Sequence, residues 1–90
     1  MNSATTLDAL IEKRPDLRGG RPIIAGTGTT VRTIAGLYKL GHSAEQILTQ
    51  LPHLNLAQIY AALTYFHLNT SEIEADIEAD SEENLQQFAA

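Results

Sequence analysis

Two stretches of the chain place an apolar residue every three or four positions, and each opens on a capping pattern. In the first, Ala44, Ile47, Leu48 and Leu51 fall at i, i+3, i+4 and i+7, one stripe of an α-helix. Ser43 and Gln46 make an S-x-x-Q capping box ahead of it, and Pro52 ends it. In the second, Asn55 and Gln58 repeat the box, and Leu54 with Ile59 forms a hydrophobic staple. Leu56, Ile59, Tyr60, Leu63 and Phe66 share one face, which should be core. The opposite face carries Gln58, Ala61, Ala62, Tyr65 and Asn69, small and polar enough to lie close to a DNA groove. Pro52, His53 and Leu54 form a turn short enough to set the two helices at the steep angle of a helix-turn-helix.

The same grammar covers the rest of the chain. Thr6–Arg14 (TLDALIEKR) reads as a short helix capped by Thr6, with Leu7, Leu10 and Ile11 inward and Pro15 ending it. Gly19-Gly20 is the clearest break. Pro22–Ile24 reads as a strand, Gly26-Thr27-Gly28 as a turn and Thr29–Arg32 as the returning strand. A lone hairpin is marginal in water, so its edge invites the same hairpin of a second subunit. Thr33–Leu40 is a further helix, with Ile34, Leu37 and Tyr38 inward and Gly41 as its cap. Beyond Asn69, Ser71 and Glu74 form a third capping box, and helix resumes at Glu72. Ile73 and Ile77 lie one turn apart there. Glu74/Glu78, Asp76/Asp80 and Glu78/Glu82 are like charges at i,i+4, which weaken that helix in isolation.

The expected fold is mainly α: a three-helix core containing the helix-turn-helix, a short N-terminal β-hairpin and an acidic C-terminal helical tail. Residues 1–18 would be an arm, 19–70 the domain and 71–90 the tail.

Length and charge sharpen this picture. A chain of 90 residues makes one small domain, and one that buries only about 60% of its unfolded surface gains from self-association. There is no cysteine, hence no disulfide framework or thiolate metal site. Nothing approaches the ~20-residue apolar run of a membrane helix, and the N-terminus has no signal-peptide pattern, so a cytoplasmic protein is expected. The net charge of −5 hides an asymmetry. All six bases (Lys13, Arg14, Arg18, Arg21, Arg32, Lys39) precede His42, beside only three acids; eight acids and no Lys or Arg follow it. One end tolerates phosphate and the other seeks a basic partner.

Catalysis finds little support. Gly26-x-Gly28 lacks the G-K-[ST] ending of a phosphate-cradling loop. His42, His53 and His67 have no ligand spacing, and nothing places a base beside a nucleophile. No metal, cofactor or enzymatic activity is expected. DNA binding needs cations. The second helix of the pair has none, so charge would come from Arg18, Arg21, Arg32 and Lys39. Gln58 could read adenine, assisted by Thr64 or Asn69, with Ala61 and Tyr65 on the same face.

The run GGRPIIAGTGTTVRTIAGLYKLGHSAEQILTQLPHLNLAQIYAALTYFHLN resembles the family known as domain of unknown function 433. The shared pattern is a Gly-Gly-x-Pro-x-Ile-x-Gly-Thr start, a Val-x-x-Ile helix and a Gly-x-Ser/Thr segment. A Pro-x-Leu turn and an Ala-Ala-Leu-x-Tyr helix complete it. The likeness runs from about Gly19 to Glu74. One departure stands out: the family commonly has Gly-Thr-Arg where this chain has Gly26-Thr27-Gly28.

The resemblance implies a homeodomain-like helix-turn-helix fold and the role of antitoxin in a bacterial type II toxin–antitoxin pair, often beside a PIN-like ribonuclease toxin. It maps operator contact to Asn55–Leu68 and toxin contact to Ser71–Phe88. Carboxylates Glu72, Asp76 and Asp80 would meet bases around the nuclease site, and Ile73, Ile77, Leu85 and Phe88 would fill apolar grooves. Two alternatives stand beside it. The chain could be a stand-alone dimeric DNA-binding regulator, or a vestigial dimer with a solvating tail. The acidic tail could also fold back on its own bases.

Overall fold

The computed structural model describes the backbone of residues 7–89 and the side chains of residues 7–79. The N-terminal helix is a single turn, α1 (Leu7–Leu10), and its expected cap Thr6 lies outside the described residues. Ile11–Lys13 is not helix but strand β1, which pairs antiparallel with β2 (Pro22–Ile24) in the register Ile11↔Ile24, Glu12↔Ile23, Lys13↔Pro22. The hairpin is therefore built from different partners than expected. Thr29–Arg32 does not return as a strand: Thr30 makes one bridge to Ile23, and the chain turns at once into helix.

Thr30 decides that turn. Its side chain accepts a hydrogen bond from the Thr33 amide, so α2 spans Val31–Lys39 and starts two residues before the sequence reading had it. At the far end Gly41, at φ +99°, closes α2 with a Schellman pair: Gly41 N–H donates to Tyr38 O and His42 N–H to Leu37 O.

Helices α3 (Ala44–Gln50) and α4 (Leu56–Leu68) form as read, each with both halves of its capping box made. With α2 they build a trihelical core around Ile34, Ile47, Ile59 and Ala62. The molecule is mainly helical with one short antiparallel hairpin near the N-terminus.

The expected faces of α4 need correction. Tyr60, assigned to the core, is 51% exposed, while Ala61 and Ala62, assigned to the outer face, are buried. Leu7, Ile11 and Ala61 line one crevice, so the N-terminal segment lies over the side of α4 that was to be open. Leu56–Leu68 is apolar nearly all round, and it is covered on every side but the one carrying Ala57, Tyr60, Thr64 and Leu68.

The tail also differs from expectation. Asn69 breaks the helix (φ −134°, ψ 47°), and α5 (Thr70–Ala89) resumes immediately, so Ser71 lies inside it rather than capping it. Ile73 is 0% exposed and belongs to the core, and Ile77 packs against it. The divisions at 18/19 and 70/71 therefore do not separate parts of the fold: β1 completes the sheet, and the first two turns of α5 complete the core.

Candidate functional site

Two surfaces hold the residues singled out in the sequence: the outer side of α4, and the basic positions around α2 and the loop that precedes it. On α4 most candidate base readers serve the fold. The Gln58 side chain accepts from the Asn55 amide at 2.8 Å, the return half of the capping box. Ala61 is buried. The Tyr65 hydroxyl donates to Glu72 Oε1 at 2.9 Å, and Asn69 Nδ2 donates to the Tyr65 carbonyl at 3.1 Å. Of the five, Thr64 alone is openly exposed. The exposed residues of α4 are Ala57, Tyr60, Thr64, His67 and Leu68, with no Lys, Arg, Asp or Glu among them.

Three of the basic residues are drawn toward α5. Lys13 Nζ lies 2.9 Å from Glu72 Oε2, Lys39 Nζ 3.2 Å from Glu74 Oε2, and Arg21 Nε 3.5 Å from Asp76 Oδ1. Helical geometry explains the set. Glu72 and Asp76 are one turn apart on one flank of the Ile73/Ile77 stripe, and Glu74 is on the other. Thus α5 seats an apolar stripe in the core and reaches a base on either rim. The relative sizes are unequal. Burying an isoleucine side chain contributes about 1.5–3 kcal/mol, while a half-exposed ion pair contributes roughly 0–1 kcal/mol. Lys13 and Lys39 are of the second kind, at 53% and 45% side-chain exposure. Ile73 anchors the helix, and the ion pairs set its rotation.

These contacts correct the expected toxin surface. Ile73 is sealed within its own chain, Ile77 packs on the core, and Glu72 and Asp76 are engaged by Lys13 and Arg21. The side chains of Asp80, Leu85 and Phe88 lie outside the described residues.

Lys13, Tyr65 and Glu72 form a small titrating cluster. Burial pushes the Glu72 carboxyl up, but hydrogen bonds from Lys13 and Tyr65 outweigh it and hold it below its ordinary value of 4.5. Desolvation, then the bond to Glu72, raises the Tyr65 phenol, and the hydrogen bond to Glu72 raises the Lys13 ammonium. Lys13 was not among the sequence candidates. Its partner is across the fold, and no spacing in the chain announces it.

Arg18 behaves differently from the other bases. It sits at φ +54°, a left-handed conformation uncommon for a residue with a side chain. This directs its guanidinium across the loop, where Nε donates to the Gly28 carbonyl at 3.0 Å. A Cβ on Gly28 would stand 3.4 Å from Arg18 Nη2. Position 28 of this chain is thus a glycine with the arginine of another segment lying over it. Arg18, Arg32, Thr29, Thr30 and Thr33 then border an open polar cleft of about 400 Å³. The cleft is tied to the α3–α4 turn by a 2.8 Å hydrogen bond between Thr29 Oγ1 and His53 Nε2. Among the described residues no group of His, Asp and Glu is arranged to hold a metal ion, and no helix is long and apolar enough to cross a membrane.

Comparison with known proteins agrees with this architecture. A family model described as a protein of unknown function (DUF433) matches residues 11–66, so the shared body begins at β1. The uncharacterized protein y4eO of Sinorhizobium fredii (strain NBRC 101917 / NGR234) is 33% identical over 60 residues, 67% of this chain but 27% of that protein. The crystal structure of a DUF433 member protein from Anabaena variabilis ATCC 29413 is similar with a TM-score of 0.73 at 26% identity, covering 80% of this chain and 71% of that one. The chain thus spans little more than a quarter of the curated relative, and with more than half of its own length inside the family model it belongs to the DUF433 family.

Proposed function

We propose that this chain is a non-enzymatic binding module, the antitoxin of a bacterial type II toxin–antitoxin pair. Its partner is a basic, PIN-like nuclease, held by the acidic helix α5. One observation carries this reading: α5 is rooted in the core by Ile73, yet its sequence holds seven of the eleven acids and no Lys or Arg. A rooted helix of one charge sign is suited to a partner of the opposite sign. The assigned contact residues are the exposed Glu78 and, further along the sequence, Asp80, Leu85 and Phe88. It does not include Ile73. A cytoplasmic location goes with this reading, because operator and nuclease substrate are both there.

Operator DNA enters the same reading through phosphates rather than bases, since Gln58, Ala61, Tyr65 and Asn69 are engaged within the fold. Pairing of two copies belongs to it as well. The hairpin edge first expected to pair is closed on β2 by β1 and Thr30. The uncharged strip Ala57, Tyr60, Thr64 and Leu68 of α4, beside Leu7, supports a homodimer instead.

The test is capture from native cells with the full chain and with a chain ended after Ala79. A basic nuclease bound by the first and lost by the second is the expected result. Equal capture by both removes α5 from the assignment. The second reading, a stand-alone dimeric regulator, is favoured by the pairing of Glu72, Glu74 and Asp76 with bases of their own chain. It predicts that neither form captures a protein.

A further inference from the structure

Two crevices lie on the outer side of α4, and Leu7, Ala61 and Thr64 line both, so they are halves of one face. The larger, about 460 Å³, sits over the first half of the helix, with Leu10, Ala57 and Tyr60 also on its walls. Leu68, at the other end of α4, is 78% exposed. It follows Ala57 by about three helical turns, which puts it on nearly the same bearing. One face therefore carries a projecting side chain at one end and a hollow at the other. A two-fold contact needs that combination, because each copy must supply both halves of the fit.

Charge selects the occupant. The exposed residues of α4 include no Lys, Arg, Asp or Glu, and Asp8 is the one charged residue lining either crevice among the described residues. DNA finds no base on this face, and a basic nuclease finds no row of acids. Two copies of a chain whose net charge is −5 repel one another, and a face almost free of acids is where that repulsion is weak.

We propose, building on the homodimer reading above, that two copies pair α4 against α4 in antiparallel order, with Leu68 of each seated in the hollow of the other. The direction follows from the placement. The hollow lies in the first half of α4 and Leu68 at its end, so opposed helices bring knob and hollow together twice. The two-fold axis then crosses α4 midway between Ala57 and Leu68, beside Ala61 and Thr64, whose small side chains let the two backbones come close.

The chain has no cysteine, so single substitutions report this geometry. Full-length variants, with the parent's fold verified by circular dichroism, are oxidised at a concentration where sedimentation shows the parent to be dimeric. Thr64→Cys should link to its own copy. Leu68→Cys should not, because the two copies of that position stand about 16 Å apart along the helices, while a disulfide needs Cα atoms within about 7 Å. Mixing Leu68→Cys with Ala57→Cys should restore the link. Leu68→Ser should weaken pairing about tenfold or more. Self-linking of Leu68→Cys means parallel helices and overturns the arrangement. A dimeric parent whose Thr64→Cys form stays unlinked, or whose Leu68→Ser form pairs unchanged, overturns this face and keeps the homodimer. A parent that stays monomeric at high concentration overturns both and leaves the face to a different protein.

Discussion

The hydroxyl of Tyr65, near the end of α4, donates to Glu72 Oε1 in the first turn of α5 across the break at Asn69. Lys13 of β1 holds the other oxygen, Glu72 Oε2. One carboxylate thus ties three elements together, with a helix on each side of the bend and the strand beneath it. The angle between α4 and α5 is set by this clasp together with Ile73.

Acid should loosen the clasp. The Glu72 carboxyl is lowered in the fold, so its contribution is complete above the ordinary value of 4.5 and disappears as pH falls through the lowered one. Tyr65 and Lys13 are raised, so theirs is complete below 10.0 and 10.5 and disappears as pH rises through the folded values. Thermal melts across pH should show a neutral plateau with both shoulders. Glu72→Gln should cost about 1 kcal/mol, after allowance for partial exposure, and flatten the acid shoulder. An unchanged acid shoulder would show that Glu72 is not the group titrating there.

Ile73 is the strongest single test of where the core ends. Ile73→Ala should cost about 2–5 kcal/mol, as for other fully buried isoleucines. Ending the chain after Thr70 should unfold it or lower its melting temperature sharply, whereas ending it after Ala79 should leave the body folded. Circular dichroism melts of the three forms decide this. A stable, cooperative chain ending at Thr70 would contradict the packing of α5.

Arg18→Gly should alter stability little. Relief of left-handed strain, about 1 kcal/mol, opposes loss of the bond to Gly28 and the added freedom of glycine in the unfolded chain. Urea denaturation should place the variant within about 1 kcal/mol of the parent. A much larger loss would mean that Arg18 is there to hold the loop.

The two capping boxes are exposed and local, so their effects should be alike and modest. Ser43→Ala and Asn55→Ala should each cost about 1 kcal/mol, with Ser43→Gly milder. Their sum in the double variant should be close to additive unless α3 and α4 are lost as one unit.

Thr64 lies at the centre of the uncharged strip of α4. Thr64→Arg should convert a dimer to a monomer in sedimentation while leaving the melting temperature of the monomer unchanged. If the parent is itself monomeric at high concentration, the pairing surface falls.

What could be read from the chain was local chemistry. Two of the three capping boxes, the Pro52 turn and the Gly41 cap are short-range patterns whose partners are three to five residues away, and these form, whereas Ser71 and Glu74 fall inside α5. What could not be read was which partner wins over distance. Ile11-Glu12-Lys13 continues a helical stripe in sequence, and only the presence of Pro22–Ile24 across the loop turns it into strand. Thr30-x-x-Thr33 is a capping spacing, hidden because the preceding threonines read as strand. One side of α4 does meet solvent, but it is the side of Ala57, Tyr60, Thr64 and Leu68 rather than that of Ala61 and Ala62, because a nearly continuous apolar composition does not mark which face a neighbour will cover. Ile73 sat in an acidic run whose charges suggested solvation, and the bases that neutralise them come from β1, the loop before β2, and α2. In the candidate site Arg18 and Arg32 were identified as cations, while the threonines between them were missed because a hydroxyl at a helix start has an adequate local use.

The closure of β2 has one further consequence. Pro22-Ile23-Ile24 is the segment best suited to recruit a foreign strand, and it has β1 on one edge and Thr30 on the other. Thr29 and Thr30 take up its edge away from β1 at Ile23 and Ile24, and its side chains are buried. That stretch is a short, covered one, so it offers little template for fibre growth and the protein should stay dispersed at high concentration.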